Sequence, residues 1–347
     1  MKWLRLGLLA LAGLIAVVVV LAVSTSLRTP RPVGFQLVKA ADPGGPPLLV
    51  AIWYPTSARP WPTTLMGMRL MSVARDGPVV GQHLPMVVIS HGNGGGLASH
   101  ADLALALADA GYVVAAPMHT GDNYLDQSAV GTVRWLTDRT RHIRAAVNYM
   151  QGVWPAHDQI DGKRIGMFGF SAGAFTALTV IGGVPDLHSI ATHCAAIPEF
   201  VCTLLSASDA PLLHALDLST PSDFVREPRI KAAVIAAPGL GFTFVPEGLA
   251  TVTVPVQLWA GGADVKVPYT TNTGPVRDAL GTKAELIVVP GAGHFSFLVP
   301  CAVLGPPLLC RDQPDFDRHA FHSSMNARVV AFFNARLGQQ SASTTEN

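Results

Sequence analysis

The sequence predicts an α/β fold in which helices cover both faces of a mostly parallel central sheet. From Leu84 onward, short unbroken apolar runs alternate with longer stretches of helical periodicity, and most of the runs end in Gly, Pro or a small polar cluster. An apolar run without polar alternation has both faces buried, as in a parallel strand sandwiched between helix layers. With 49% hydrophobic and 14% charged residues over 347 positions, the chain also carries enough apolar material for one large core.

The elements follow in chain order. Lys2 and Arg5 precede an uncharged apolar run from Leu6 to Val23, so residues 1–24 are expected to be a secretory signal peptide or an N-terminal membrane anchor. Ala22-Val23-Ser24 offers a small-x-small cleavage site, and residues 25–32, with Pro30 and Pro32, follow as a linker. Membrane association would run through residues 6–23. The folded body, expected over 33–337, would then be periplasmic, secreted or tethered outside the cytoplasm, with 338–347 a flexible tail.

Val33 to Lys39 and Leu48 to Tyr54, separated by Asp42-Pro43-Gly44-Gly45-Pro46-Pro47, predict an antiparallel pair at the sheet edge. Pro60, Pro62, Gly67 and Gly77 make Pro55 to Gln82 an irregular surface excursion. Pro85 to Ser90 is a buried strand, followed by the loop His91 to Gly96 and a helix from about Ser99 to Asp109. Tyr112 to Ala116 is the next strand. Ile143, Ala146, Val147 and Met150 give the helix Arg139 to Tyr149 a buried stripe, with Arg139, Arg141 and Arg144 expected in water. Arg164 to Phe168 then reads as a strand and Ala172 to Ile181 as a helix. Residues 183–228 break the rhythm and are too few for an independent core, so they read as a lid or excursion. Ala232 to Ala236, Val256 to Trp259 and Glu285 to Val289 supply three more strands, and a helix over about 317–337 closes the fold.

Net charge is +1 with basic residues dispersed, which leaves no electrostatic footprint for a phosphate backbone and argues against nucleic acid. The histidines include no H-E-x-x-H unit and the cysteines no C-x-x-C unit, so no metal site is expected. Four cysteines form two local pairs, Cys194/Cys202 and Cys301/Cys310, which fit disulfides in an oxidising compartment; proximity is the only basis for this pairing, since three connectivities exist.

Gly169-Phe170-Ser171-Ala172-Gly173 is a G-x-S-x-G motif set between a strand and a helix of small apolar residues. A sharp strand-to-helix turn needs small neighbours and projects the serine hydroxyl, while the helix start aims N–H groups at developing negative charge. A serine hydroxyl needs a base, and that base an orienting acid, downstream in the order Ser, Asp, His. His294, in Pro290-Gly291-Ala292-Gly293-His294, directly follows the last strand. Asp264 follows Val256 to Trp259 through Ala260-Gly261-Gly262-Ala263; its rivals Asp209, Asp217 and Asp223 lie in the excursion without a preceding strand. The expected oxyanion donors are the backbone amides of Ala172 and Asn93, with Gly94 the alternative to Asn93. His91 reads as a structural residue of that loop. His119 and Asp122 are candidates for lining the pocket, and Phe170 and Phe295 for touching an acyl group.

Ser90-His91-Gly92-Asn93-Gly94-Gly95, Gly169 to Gly173, Gly262-Ala263-Asp264 and Gly291-Ala292-Gly293-His294, in that order, resemble the α/β-hydrolase superfamily over residues 33–337. The early Ala51-Ile52-Trp53-Tyr54-Pro55, followed by the S-H-G-x-G-G loop, is similar to bacterial relatives of platelet-activating-factor acetylhydrolases and dienelactone hydrolases. The resemblance implies an α/β-hydrolase fold, no metal or organic cofactor, and a serine carboxylic ester hydrolase acting on a small ester or lipid-like substrate through Ser171, Asp264 and His294. Dienelactone hydrolases typically carry cysteine where this chain has Ser171, so short-chain or oxidised acyl esters fit better than dienelactones. The same three residues serve a peptidase or amidase, and a catalytically silent binding protein is the remaining alternative.

Overall fold

A computed structural model describes residues 2–66, 69–214, 224–302 and 305–338. Helix α1 (Lys2–Ser24) turns much of its apolar surface outward. Among the described residues no single helix is long and apolar enough to cross a membrane. Strands β1 (Val33–Ala40) and β2 (Leu48–Pro55) pair antiparallel from Val33↔Pro55 to Ala40↔Leu48, the turn falling on the Pro/Gly cluster.

This pair is not the sheet edge. β3 (Trp61–Leu65) and β4 (Arg69–Arg75) form an antiparallel ribbon beyond β1, inside the segment expected to be irregular. Pro62 lies in β3, the outermost strand, where a missing N–H breaks no interior ladder. The alternation of buried Leu65, Met71 and Val73 with less buried Thr64, Leu70 and Ser72 is brief enough for the flanking prolines to mask it in the sequence.

The remaining elements are β5 (Leu84–Ser90), α2 (Ala101–Asp109), β6 (Val113–Pro117), α3 (Val133–Gly152), β7 (Ile160–Phe170), α4 (Ala172–Val180), α5 (Ser189–Ala196), α6 (Phe200–Ala207), β8 (Ile230–Ala236), α7 (Pro246–Leu249), β9 (Val256–Gly261), α8 (Thr273–Leu280), β10 (Ala284–Val289), α9 (Pro307–Cys310) and α10 (Arg318–Leu337). The ten strands lie in the order β10-β9-β8-β7-β5-β6-β2-β1-β4-β3, and from β10 to β6 every neighbour pair is parallel. Side chains of each inner strand alternate between two cores. Ile165 and Met167 of β7 join Ala174 and Leu178 of α4 and Leu136 and Ile143 of α3 on one face. Phe168 and Phe170 join Leu103 and Leu107 of α2 and Met325 and Phe333 of α10 on the other.

Helix α3 starts well before the predicted Arg139, because Thr132 caps it by accepting from the Trp135 amide and Trp135 and Leu136 pack into the core. Its Arg139 is only 1% exposed, contrary to the expectation of a solvated face, since Asp122 waits inside as its partner. Arg144 does remain partly exposed, and Arg141 leans onto Asp42.

The excursion contains α5 and α6, tied together by the disulfide Cys194–Cys202; Cys301–Cys310 closes the second local loop before α10. Two disulfides fit an oxidising, extracytoplasmic environment. Asp217, Asp223 and residues 339–347 of the expected tail lie outside the described residues.

Candidate active site

All the chemistry-bearing loops leave the carboxyl ends of parallel strands, where an open α/β sheet presents its crevice. β5 ends at Ser90 and enters the His91 to Gly96 loop, β7 ends at Phe170 just before Ser171, β9 ends at Gly261 before Asp264, and β10 ends at Val289 before His294.

Ser171 sits at φ 55° and ψ −118°, a backbone conformation that L side chains rarely adopt, and caps the start of α4. The flanking glycines allow this turn sterically. A Cβ on Gly169 would come 2.1 Å from the Gly173 carbonyl oxygen, and one on Gly173 would come 2.0 Å from the Ser90 carbonyl oxygen. The serine amide donates to Ala236 O, which pins the turn to β8.

The turn brings three distant side chains together. His294 Nε2 lies 2.9 Å from Ser171 Oγ, and His294 Nδ1 lies 2.7 Å from Asp264 Oδ2. The other Asp264 oxygen accepts from the amides of Lys266 at 3.0 Å and Val267 at 2.9 Å, so the carboxylate has no freedom to turn away. Because a carboxylate only accepts, the proton of a neutral His294 belongs on Nδ1, leaving Nε2 with a lone pair toward the serine. Phe170 stacks obliquely on the imidazole at 4.8 Å, and the turn after Gly293 is held by its amide donating to Ser296 Oγ. Asp209 pairs with His214 on the surface.

The loop after β5 runs directly against Ser171: a Cβ on Gly92 would touch Ser171 Cβ at 3.3 Å. The amide of Gly94 is committed to Asp122 Oδ1 at 2.8 Å, which leaves the Asn93 amide as the donor on this side. Among the described residues neither Asn93 N nor Ala172 N is taken up by an acceptor. Together with the dipole of α4, two free amides beside a serine hydroxyl favour negative charge on a carbonyl oxygen placed between them.

Behind this loop lies a buried polar layer. His91 Nε2 accepts from the His119 amide at 3.1 Å, so its proton is on Nδ1 and donates to Gly92 O. Burial pulls the His91 and His142 imidazoles down to about 4 and holds His119 well below the ordinary 6.5, which keeps all three neutral at pH 7. His119 and Asp122, expected to line the pocket, are instead 0% and 1% exposed and belong to this layer, since Arg139 and Trp135 hold Asp122 inward and Ser90, His91 and His142 hold His119.

An open cleft lies over Ser171, walled by Trp135, Val201, Leu204, Leu240 and Val267, with Asn93, Glu199, Lys266 and Asn272 among its polar members. Phe170 and Phe295 are not in its wall. Phe170 is buried against His294 and Phe297, and Phe295 faces the Lys266 ammonium at 5.1 Å. Sequence reasoning passed over Glu199 and Asn272, whose side chains bond to each other at 2.9 Å. Neither sits in a motif; the only signal is the charge of Glu199 inside an otherwise apolar stretch, and Asn272, in Thr270-Thr271-Asn272-Thr273, has none.

No family model matches the chain, and no curated protein sequence matches it. Among solved structures it is similar to a ferulic acid esterase from Streptomyces cinnamoneus, with a TM-score of 0.59 and 19% identity over 89% of this chain and 91% of that one. With the parallel sheet and its strand order, this likeness identifies an α/β-hydrolase fold.

Proposed function

We propose that the protein is a serine hydrolase that cleaves carboxylic esters through an acyl-enzyme on Ser171. The observation that carries the reading is the unbroken relay from Asp264 to His294 to Ser171, at 2.7 and 2.9 Å, beside two free backbone amides. Ser171 Oγ attacks the ester carbonyl carbon while His294 Nε2 takes its proton, and the carbonyl oxygen becomes an oxyanion facing Asn93 N and Ala172 N. The tetrahedral intermediate collapses as His294 returns the proton to the departing alkoxide. Water then repeats the sequence on the acyl-enzyme, giving the carboxylic acid and free Ser171. Asp264 holds the tautomer and stabilises the imidazolium formed in each half.

The apolar walls of the cleft over Ser171 support an apolar acyl or alkoxy group. The fold shared with a ferulic acid esterase supports ester chemistry, while the narrower likeness to acetylhydrolase-like enzymes rests on the Trp53-Tyr54-Pro55 and S-H-G-x-G-G motifs. The test is fluorophosphonate labelling of the wild type beside Ser171→Ala, followed by a panel of nitrophenyl acyl esters and aminoacyl amides. Labelling only of the wild type, with turnover of short acyl esters above amides, is expected. Equal labelling of both proteins would remove Ser171 as nucleophile, no labelling at all would point to a silent binding protein, and faster amide turnover would make the enzyme an amidase.

A further inference from the structure

We infer that one buried ion pair, Asp122 with Arg139, is a positioning device that sets the spacing between the two oxyanion amides; this rests on the hydrolase reading above. Each side chain is 1% exposed, and Arg139 Nη1 meets Asp122 Oδ2 at 2.5 Å. From this pair the bonds run in two directions. Asp122 Oδ1 accepts from Asn93 Nδ2 and from Gly94 N, both at 2.8 Å, so it grips the loop on either side of the Asn93 carbonyl. Arg139 Nε donates to Thr176 Oγ1 at 2.9 Å, and that hydroxyl donates to Ala172 O at 2.9 Å. One donor is thus indexed through Asp122 and the other through Arg139 and Thr176.

The rest of the pair's capacity is used on the same elements. Arg139 Nη2 donates to His91 O and to Ser90 Oγ, which fixes the root of the loop, and Asp122 Oδ2 also accepts from Trp135 Nε1 at 2.6 Å. The carboxylate thus has four donors, and the guanidinium reaches β5, the loop after β6 and α4 at once. A buried ion pair is weak evidence for stability, because an apolar pair of equal volume often serves as well or better. Arg139 also occupies the inward stripe of α3, whose neighbouring turns carry Leu136 and Ile143. What the apolar pair could not supply is direction: a planar fork and a two-oxygen acceptor fix two loops relative to each other to within a fraction of an ångström.

Asp122→Asn keeps the shape but turns an amide N–H toward Arg139 or Trp135, and Asn93→Ala cuts only the side-chain tether while keeping the backbone amide. Both are made in the full chain and compared with wild type for kcat and KM on a nitrophenyl ester, and for the Kd of a phenylboronic acid, whose tetrahedral adduct on Ser171 occupies the oxyanion site. The expected result is a 10- to 100-fold fall in kcat with KM within about threefold, and a parallel weakening of boronate binding. Should Asp122→Asn not fold, Asn93→Ala decides alone. Folded variants with wild-type kcat and boronate affinity, and only a lower melting temperature, would overturn the inference by assigning the pair a structural role. That outcome leaves wild-type labelling of Ser171 intact, so it is distinguishable from failure of the hydrolase reading.

Discussion

Replacing Gly173 by alanine adds one methyl group at the tightest point of the turn that carries Ser171. The new Cβ would lie 2.0 Å from the Ser90 carbonyl oxygen and 2.7 Å from that of His91, and both are backbone atoms that cannot rotate aside. Restoring van der Waals contact requires β5 and the start of α4 to part by roughly 1 Å or more, given ordinary heavy-atom separations near 3.5 Å. His91 O is also an acceptor for Arg139, so the displacement reaches the loop that carries Asn93. Misplacing reacting groups by about 1 Å can lower kcat about 100-fold, and overpacking a core of this density costs about 1–3 kcal/mol. The same substitution at Gly152, the last residue of α3, meets nothing within 4 Å and should leave stability unchanged or raise it by up to ~1 kcal/mol. Nitrophenyl ester kinetics and urea midpoints on both variants test the argument. A Gly173→Ala enzyme with wild-type kcat and midpoint would refute the claim that this glycine exists to admit close backbone approach.

Two further outcomes follow from the buried layer and the cross-links. In the unfolded chain the imidazoles of His91 and His142 take up protons near the ordinary 6.5, but in the folded protein only near about 4, because burial disfavours their charged forms. The folded state therefore binds fewer protons between those values, so this stability is complete above about pH 6.5 and is lost as pH falls toward 4, on the order of 3 kcal/mol for one such histidine. Urea midpoints should drop steadily from pH 7 to pH 4.5, and a flat profile would contradict the burial of neutral histidines. Replacing Cys301 and Cys310 by serine opens a loop of sequence separation 9 and should lower unfolding free energy by about 2–3 kcal/mol. Dithiothreitol should reduce the wild-type midpoint while leaving that of a variant lacking all four cysteines unchanged.

The sequence by itself determined the elements whose signals are local. An unbroken apolar strand, a G-x-S-x-G turn and a loop of glycines each carry their own steric or periodic reason, so the parallel core and the order Ser171, Asp264, His294 are readable from a short window around each. Tertiary structure alone decided which side chains meet. Arg139 lies on the inward stripe of α3 between Leu136 and Ile143, where its charge argues for solvent, yet it is buried while Arg144 is not, because Asp122 and Thr176 arrive from elsewhere in the chain to receive it. His119 and Asp122 follow a strand just as a pocket residue would, and nothing in their neighbours tells that they face inward. Pro62 hid an edge strand because its meaning depends on having no partner on one side. Periodicity reports the face of an element that is buried; the partner waiting on that face is set by chain segments far away in sequence, and a charge can go inside only where such a partner exists.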